Sequence, residues 1–350
     1  MKIKKITLAF LFGICSVLMF NSCSKKNPDK IKNGKIKIVT TIYPVYDWVK
    51  NITGDKAEVS YLIKSGTDLH SFQPSAKDIL EITGSGTDLF IFCGGESDFW
   101  IEKLMNRIKE GGVEAYSLME EHKEILEAMG EHHHHHHDGE EEDEEHEHEH
   151  ADHDHDHQDA DHDHEHEHAE HEHGHHDGFD PDEFDEHIWL SVKRAGVFVN
   201  SIAEKIASLD KENAEFYLAN AKSYCEKISG VDAGFEKAVS KMGEKVMIVA
   251  DRNPFTYLGK DYGIEIVAAF HGCSAESEAS FEVIKNLAEE TDEHGIKIIY
   301  ITETGTERIA KTVISNTKDK NQEIRCLNAM QGKTEKTWLE VMKENLSVIE

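Results

Sequence analysis

Between Glu131 and Glu186, histidines and carboxylates alternate without a single lysine or arginine, giving 20 His and 26 Asp or Glu in 56 residues. The run opens with His132, His133, His134, His135, His136 and His137. It continues through His146, His148, His150, His153, His155, His157, His162, His164, His166, His168, His171, His173, His175 and His176. Imidazole and carboxylate are the donors that divalent transition metals share, and alternation keeps a fresh donor within reach of one ion. The chemistry this suggests is low-affinity metal binding. A purification tag would account for the six consecutive histidines but not for the interspersed ones. A segment so charged and so poor in apolar residues cannot offset its ordering entropy, so a solvated loop is expected. Its carboxylates should raise the pKa values of its imidazoles, so that protons compete with metal as the pH falls through the histidine range.

Five histidines lie elsewhere: His70, His122, His187, His271 and His294. His70 sits in Gly66-Thr67-Asp68-Leu69-His70-Ser71-Phe72-Gln73-Pro74-Ser75, between a predicted strand and its helix. Loops at the carboxyl ends of strands are where open α/β sheets present ligand-binding groups. His187 sits in Asp185-Glu186-His187-Ile188-Trp189-Leu190, where the acidic run ends and a helix begins. His122 and His294 read as surface residues, and Tyr43, Trp48 and Trp189 as core or cleft walls.

The elements that must position these residues follow from periodicity. Strands are predicted at Ile36–Ile42, Ala57–Ile63, Asp88–Cys93 and Val113–Ser117, with helices at Tyr43–Gly54, Pro74–Thr83 and Asp98–Lys109. After the loop, strands are predicted at Lys245–Ala250, Ile264–Ala269, Ile296–Ile301 and Glu323–Leu327. Helices fall near Pro254–Tyr262, Glu278–His294, Thr306–Asn316 and Lys336–Leu346. Short apolar strands alternating with helices imply parallel sheets covered on both faces. The predicted fold is therefore α/β, two lobes of about four βα units each. Between them Tyr217, Ala221, Tyr224, Ile228, Val231, Phe235, Ala238 and Met242 form one apolar seam, with Asp210 as the predicted N-cap. A helix over Lys211–Lys241 would be roughly 45 Å long and would act as a rigid rod joining the lobes.

The net charge of −31 belongs mostly to the loop: 69 acids less its 26 leaves 43 against 38 bases, close to −5 for the rest. No basic face suggests nucleic acid. Met1–Lys5 is basic and Ile6–Phe20 apolar but short, which reads as an export signal. Phe20-Asn21-Ser22-Cys23, followed by a polar tether, resembles a bacterial lipoprotein processing site with Cys23 as the lipidated residue. Cleavage by an ordinary signal peptidase is the alternative. Either route puts the mature chain outside the cytoplasm, where disulfides are permitted. Cys93, Cys225, Cys273 and Cys326 allow three full pairings, and Cys273–Cys326 is preferred because it stays within the second half.

Three short motifs now line up with a known family. Thr41-Ile42-Tyr43-Pro44, Gly66-x-x-x-His70-x-Phe72-x-Pro74-Ser75 and Asp185-x-His187-Ile188-Trp189 resemble those of the metal-specific solute-binding proteins of bacterial ABC transporters, the zinc and manganese class. The histidine-rich insert before the third motif resembles that of zinc-type members. The resemblance covers Lys35–Glu350. It implies two lobes bridged by one long helix, an ion clamped in the cleft between them, a membrane ABC permease as partner, and no enzymatic activity. It also implies a monomer, held to the membrane by lipid and facing the periplasm or the extracellular side. The expected division is signal peptide (1–22), lipid-anchored tether (23–34), N-terminal lobe (35–130), loop (131–186), remainder of that lobe (187–209), linking helix (210–242) and C-terminal lobe (243–350).

The resemblance implies His70 and His187 as ligands and a carboxylate at Glu303. At the family's third position, set by Phe255-Thr256-Tyr257, this chain carries Arg252, whose guanidinium has no lone pair to offer a cation. Asp251 is the substitute chosen, with His271 and Glu276 as alternatives. Two imidazoles and two carboxylates would form a neutral site around Zn2+. Affinity order alone would favour copper or nickel, so geometry and supply decide; Mn2+ binds imidazole weakly and is the lesser candidate. An exported metal-buffering or adhesion lipoprotein acting through the loop is the alternative function. A zinc hydrolase is disfavoured by the lack of a His-Glu-x-x-His or Gly-x-Ser-x-Gly motif.

Overall fold

The computed structural model describes residues 34–350 except 65, 66, 68, 85, 129–183, 273–277 and 333. The export signal, Cys23, the twenty loop histidines, Cys273 and Glu276 therefore lie outside the described residues.

The first lobe is built from β1 (Ile36–Thr40), α1 (Tyr43–Thr53), β2 (Ala57–Tyr61), α2 (Ala76–Thr83), β3 (Leu89–Phe92), α3 (Met105–Gly111), β4 (Glu114–Ser117) and α4 (Leu118–Glu121). Its four strands are parallel in the order β2-β1-β3-β4. Ile36, Ile38, Val39, Leu89, Phe90 and Ile91 are fully buried, as apolar strands covered on both faces must be. The expected helix at Asp98–Lys109 is instead a 3-10 segment, Glu96–Leu104, running into α3. Its tighter winding starts where Asp98 N–H bonds back to Gly95 O at 3.1 Å.

Helix α5 (Val192–Leu209) packs along α6 (Ala214–Val239), the long linking helix. Tyr217, Ala221, Tyr224, Ile228, Val231, Phe235 and Ala238 are all buried, so the seam read from the sequence is the packing face. Asp210 is not its N-cap. It closes α5, and its carboxylate accepts from Tyr217 Oη at 2.6 Å and Asn213 Nδ2 at 2.9 Å, pinning the turn between the two helices. Helix α6 accordingly starts at Ala214, a turn later than expected.

The second lobe repeats the pattern with β5 (Val246–Asn253), α7 (Thr256–Tyr262), β6 (Glu265–His271), α8 (Phe281–Glu293), β7 (Ile298–Thr302), α9 (Glu307–Asn316), β8 (Glu323–Leu327) and α10 (Trp338–Ile349). Its parallel order is β6-β5-β7-β8. Cys326, in β8, is a free thiol, and its expected partner Cys273 lies outside the described residues.

One apolar cluster runs unbroken from β1 and α1 through α5 and α6 into β5 and α10. At its centre Trp48 stacks on Phe198 (6.2 Å) and meets Trp338 edge-on (5.5 Å). Each such side chain contributes roughly 1.5–3 kcal/mol by burial, so separating the lobes would expose a shared core. Asp47 in α1 joins this clasp, accepting from Trp338 N at 3.0 Å and Tyr224 Oη at 3.4 Å. Burial pushes its pKa up to about 6 from 3.8, against the bonds from Trp338 and Tyr224.

The sign of the consequence is fixed. The folded state holds this proton more tightly, so stability falls as the pH rises from about 4 to about 6 and is flat above. The expected amplitude is roughly 3 kcal/mol. Denaturant titrations of Asp47→Asn should lack this component of the slope. An unchanged slope would show that Asp47 is not its source.

Candidate metal centre

His70 is held in the turn between β2 and α2. The chain is stopped there by Pro74 and by a capping box in which Ser75 and Asp78 exchange bonds, with Ser75 N donating to Asp78 Oδ2 at 2.8 Å. Its Nδ1 lies 2.9 Å from Ser97 Oγ and 3.0 Å from Glu186 Oε1. Glu186 is itself docked on the start of the 3-10 segment. Ser97 N donates to Glu186 Oε2 at 2.8 Å, and the Ser97 hydroxyl donates to Oε1. Gly95 makes this approach possible: with φ +90, it would carry a Cβ only 2.6 Å from Glu186 Cβ.

His187 is fully buried. Its backbone N–H and its Nδ1 both bond Asp185 Oδ1, each at 2.8 Å. The segment is fastened from the second lobe, where Tyr257 Oη donates to Asp185 O at 2.8 Å. In return Trp189 Nε1 donates to Ala329 O at 2.9 Å. The His70 and His187 rings meet with centroids 5.4 Å apart. Each imidazole thus has Nδ1 turned to a carboxylate, which assigns the proton there and leaves Nε2 with its lone pair, the arrangement found around metal-bound histidines. His70, Glu186 and His187 form the one cluster of potential metal donors among the described residues, with donor atoms within 4.8 Å of one another.

The electrostatics favour positive charge at this point. Burial alone would lower the pKa of His187, but the carboxylates of Asp185 and Glu186 outweigh it and raise the value. Burial opposes ionisation of Glu186, yet the bond from His70, the charge of His187 and the bond from Ser97 hold it below the ordinary range. Asp98, pushed up to about 8 by burial and by the Glu186 charge, keeps its proton at neutral pH. The negative charge of that pair therefore rests on Glu186, beside His70.

The second lobe closes the site with the loop after β8 and with Gly272 after β6, where a Cβ would lie 3.4 Å from His187 Cε1. Gln331 brings its side-chain nitrogen to 2.8 Å from His187 Nε2 and 3.3 Å from His70 Nε2. The structure does not bring the two expected C-terminal carboxylates into the donor cluster. Glu303 uses both oxygens on the same loop, accepting from Ala329 N on Oε2 at 2.7 Å and from Gln331 N and Gly332 N on Oε1 at 2.7 and 2.8 Å. Asp251 accepts from Thr302 N (3.1 Å) and Thr302 Oγ1 (2.6 Å) on Oδ2 and from Arg252 N (2.8 Å) on Oδ1. His271 is exposed at the end of β6, opposite Asn253. Sequence reading missed Glu186, Ser97 and Gln331. Only Glu186 left a trace, as the acid directly before His187 where the acidic run ends.

Two parallel-sheet lobes joined by a long helix, with two imidazoles meeting between them, frame a candidate interlobe metal site. The family model described as zinc-uptake complex component A, periplasmic, matches residues 38–350, and the chain belongs to that family of solute-binding receptors. It is 30% identical over 325 residues to the zinc-binding protein AdcA of Streptococcus pyogenes, which covers 91% of this chain but 56% of that protein. The chain thus spans little more than half of that relative. The high-affinity zinc uptake system protein ZnuA of Bacillus subtilis is 28% identical, with 99% and 97% covered. Among solved structures, Zn(II)-bound AdcA of Streptococcus pneumoniae superposes with a TM-score of 0.64 at 26% identity, covering 90% of this chain and 57% of that one. A Zn(II)-bound mutant variant of AdcAII from the same organism gives 0.66 at 25%, covering 91% and 98%. Among the described residues no helix is long and apolar enough to cross a membrane.

Proposed function

We propose that this protein is an extracytoplasmic receptor that captures Zn2+ and delivers it to a membrane ABC permease. The observation that carries the reading is the pair His70 and His187, each backed by a carboxylate, with both Nε2 atoms turned to one point in the interlobe cleft. Imidazole donors suit zinc and select against manganese, and the zinc-binding and zinc-uptake names of the relatives support the same cargo. The donor pair lies deep between lobes that share a core, which suits carriage of an ion rather than turnover of a substrate.

In this reading His70 and His187 are the N-terminal donors, and Glu186 and Asp185 orient them. Asp251 and Glu303 act from behind: their oxygens already accept backbone amides and thereby fix the wall that the second lobe presents. Cys23 would tether the chain to the membrane by lipid, as a monomer. The histidine-rich loop is a low-affinity antenna attached beside His187, concentrating ions near the cleft.

Deletion of Glu131–Gly178 followed by zinc titration separates receptor from buffer. The expected result is loss of the many weak equivalents with one tight equivalent retained. Loss of all zinc binding on deletion would instead make the loop the working part.

A further inference from the structure

A carboxamide from the second lobe stands between the two imidazoles. Gln331 Nε2 lies 2.8 Å from His187 Nε2 and 3.3 Å from His70 Nε2. Because both Nδ1 atoms face carboxylates, at 2.8 Å for Asp185 and 3.0 Å for Glu186, both Nε2 atoms offer lone pairs. Only a donor satisfies two facing lone pairs, which assigns the NH2 end of the amide to the position between them. Its two N–H bonds give that nitrogen group the positive face that a cation would present there.

We propose that Gln331 is an affinity-setting residue, a built-in competitor that takes the position an ion bound to both imidazoles must occupy. This rests on the reading of His70 and His187 as the ion's donors. A zinc ion bonded to both rings needs about 2.0–2.1 Å to each Nε2. An amide nitrogen 2.8 and 3.3 Å from those atoms leaves no space for it, so ion and amide exclude each other.

The competitor is fixed at its base, and its tip bonds the two imidazoles. Glu303 fixes the backbone of residues 329, 331 and 332 through three amides. Asn345 fixes Asn328 on both sides, donating to its O and accepting from its N, and Met330 turns the chain at φ +57. The carboxamide itself has somewhere to go: Gln331 also lines a cleft with Tyr43, Lys64, Thr67 and Thr334. A change of side-chain rotamer, without movement of the loop, therefore clears the imidazoles.

The test uses the full chain and zinc alone, with a competing chelator resolving the tightest equivalent. Removing the amide in Gln331→Ala deletes two hydrogen bonds that binding must otherwise break, so affinity should rise roughly ten-fold. Gln331→Ser, too short to reach either ring, should give the same gain and stands in should the alanine variant fold poorly. A gain is a result that mere structural damage does not produce. Unchanged or weaker binding in both variants overturns the proposal, and weaker binding would mean that Gln331 helps to hold the ion. His70→Ala is measured in parallel. If that variant keeps the tight equivalent, the underlying site assignment is wrong, whatever the Gln331 variants do.

Discussion

Replacing His70 with alanine is expected to weaken the tightest zinc-binding event of the full chain about 100-fold while leaving the weaker binding of the loop in place. In the proposed site His70 is one of two imidazoles whose Nε2 atoms converge at the cleft, and among the described residues no third histidine joins the cluster. Protein zinc sites with four ligands draw about 10–16 kcal/mol from their full set, so one donor is worth on the order of 3 kcal/mol, or about 100-fold in affinity. The fold should tolerate the change, because His70 lies in a turn with 15% of its side chain exposed and supports no packed core. Chelator competition beside a thermal melt checks both halves. A loss of binding matched by a large drop in melting temperature would point to unfolding instead of a missing ligand.

The second large effect is expected at Asp185. Its Oδ1 accepts both the backbone N–H and the Nδ1–H of His187, and an asparagine oxygen can accept the same pair. Asp185→Asn therefore keeps the geometry and removes the charge. Loss of such an outer carboxylate lowers metal affinity about 10–100-fold, because the imidazole becomes a poorer donor. The pH dependence separates this from a steric defect. Burial works to lower the pKa of His187, and Asp185 is the first of the charges that raise it. In the wild type, protons therefore begin to displace zinc at a higher pH than in the variant. The gap between the two proteins should be widest above the histidine range and narrow as the pH falls. A gap that is constant with pH would contradict this origin.

The parts of the candidate site written in local sequence were legible. His70 stands out because a turn after a strand, closed by Pro74-Ser75, is where a sheet offers a donor. His187 stands out because the acidic run stops there against Ile188-Trp189-Leu190. The seam of α6 was legible for the same reason: burial every three to four residues is a local pattern. What was not legible depends on distant partners. Glu303 looks like a ligand by position, yet its oxygens are claimed by amides 26 to 29 residues away. Asp251 is claimed by Thr302, 51 residues on. Glu186 was hidden in plain composition, one acid among 26, and its contacts with His70 and Ser97, far earlier in the chain, set it apart. Gln331 carries no signal at all, since an amide in a loop is ordinary until two imidazoles face it.

These particulars converge on a division of labour. In the proposed site the first lobe would supply the donors and the charges that tune them. The second supplies a wall, fixed by Glu303 and Asp251, from which one neutral side chain reaches across. A shared core of Trp48, Phe198 and Trp338 keeps the two at a set distance, so small side-chain movements rather than wide opening should admit the ion.

The most direct measurement is anomalous scattering at the zinc absorption edge from crystals of the zinc-loaded protein. The expected map has one strong peak about 2.0–2.1 Å from Nε2 of both His70 and His187, with the Gln331 amide turned away. A strongest peak bonded to neither imidazole would contradict the assignment of the cleft as the metal centre.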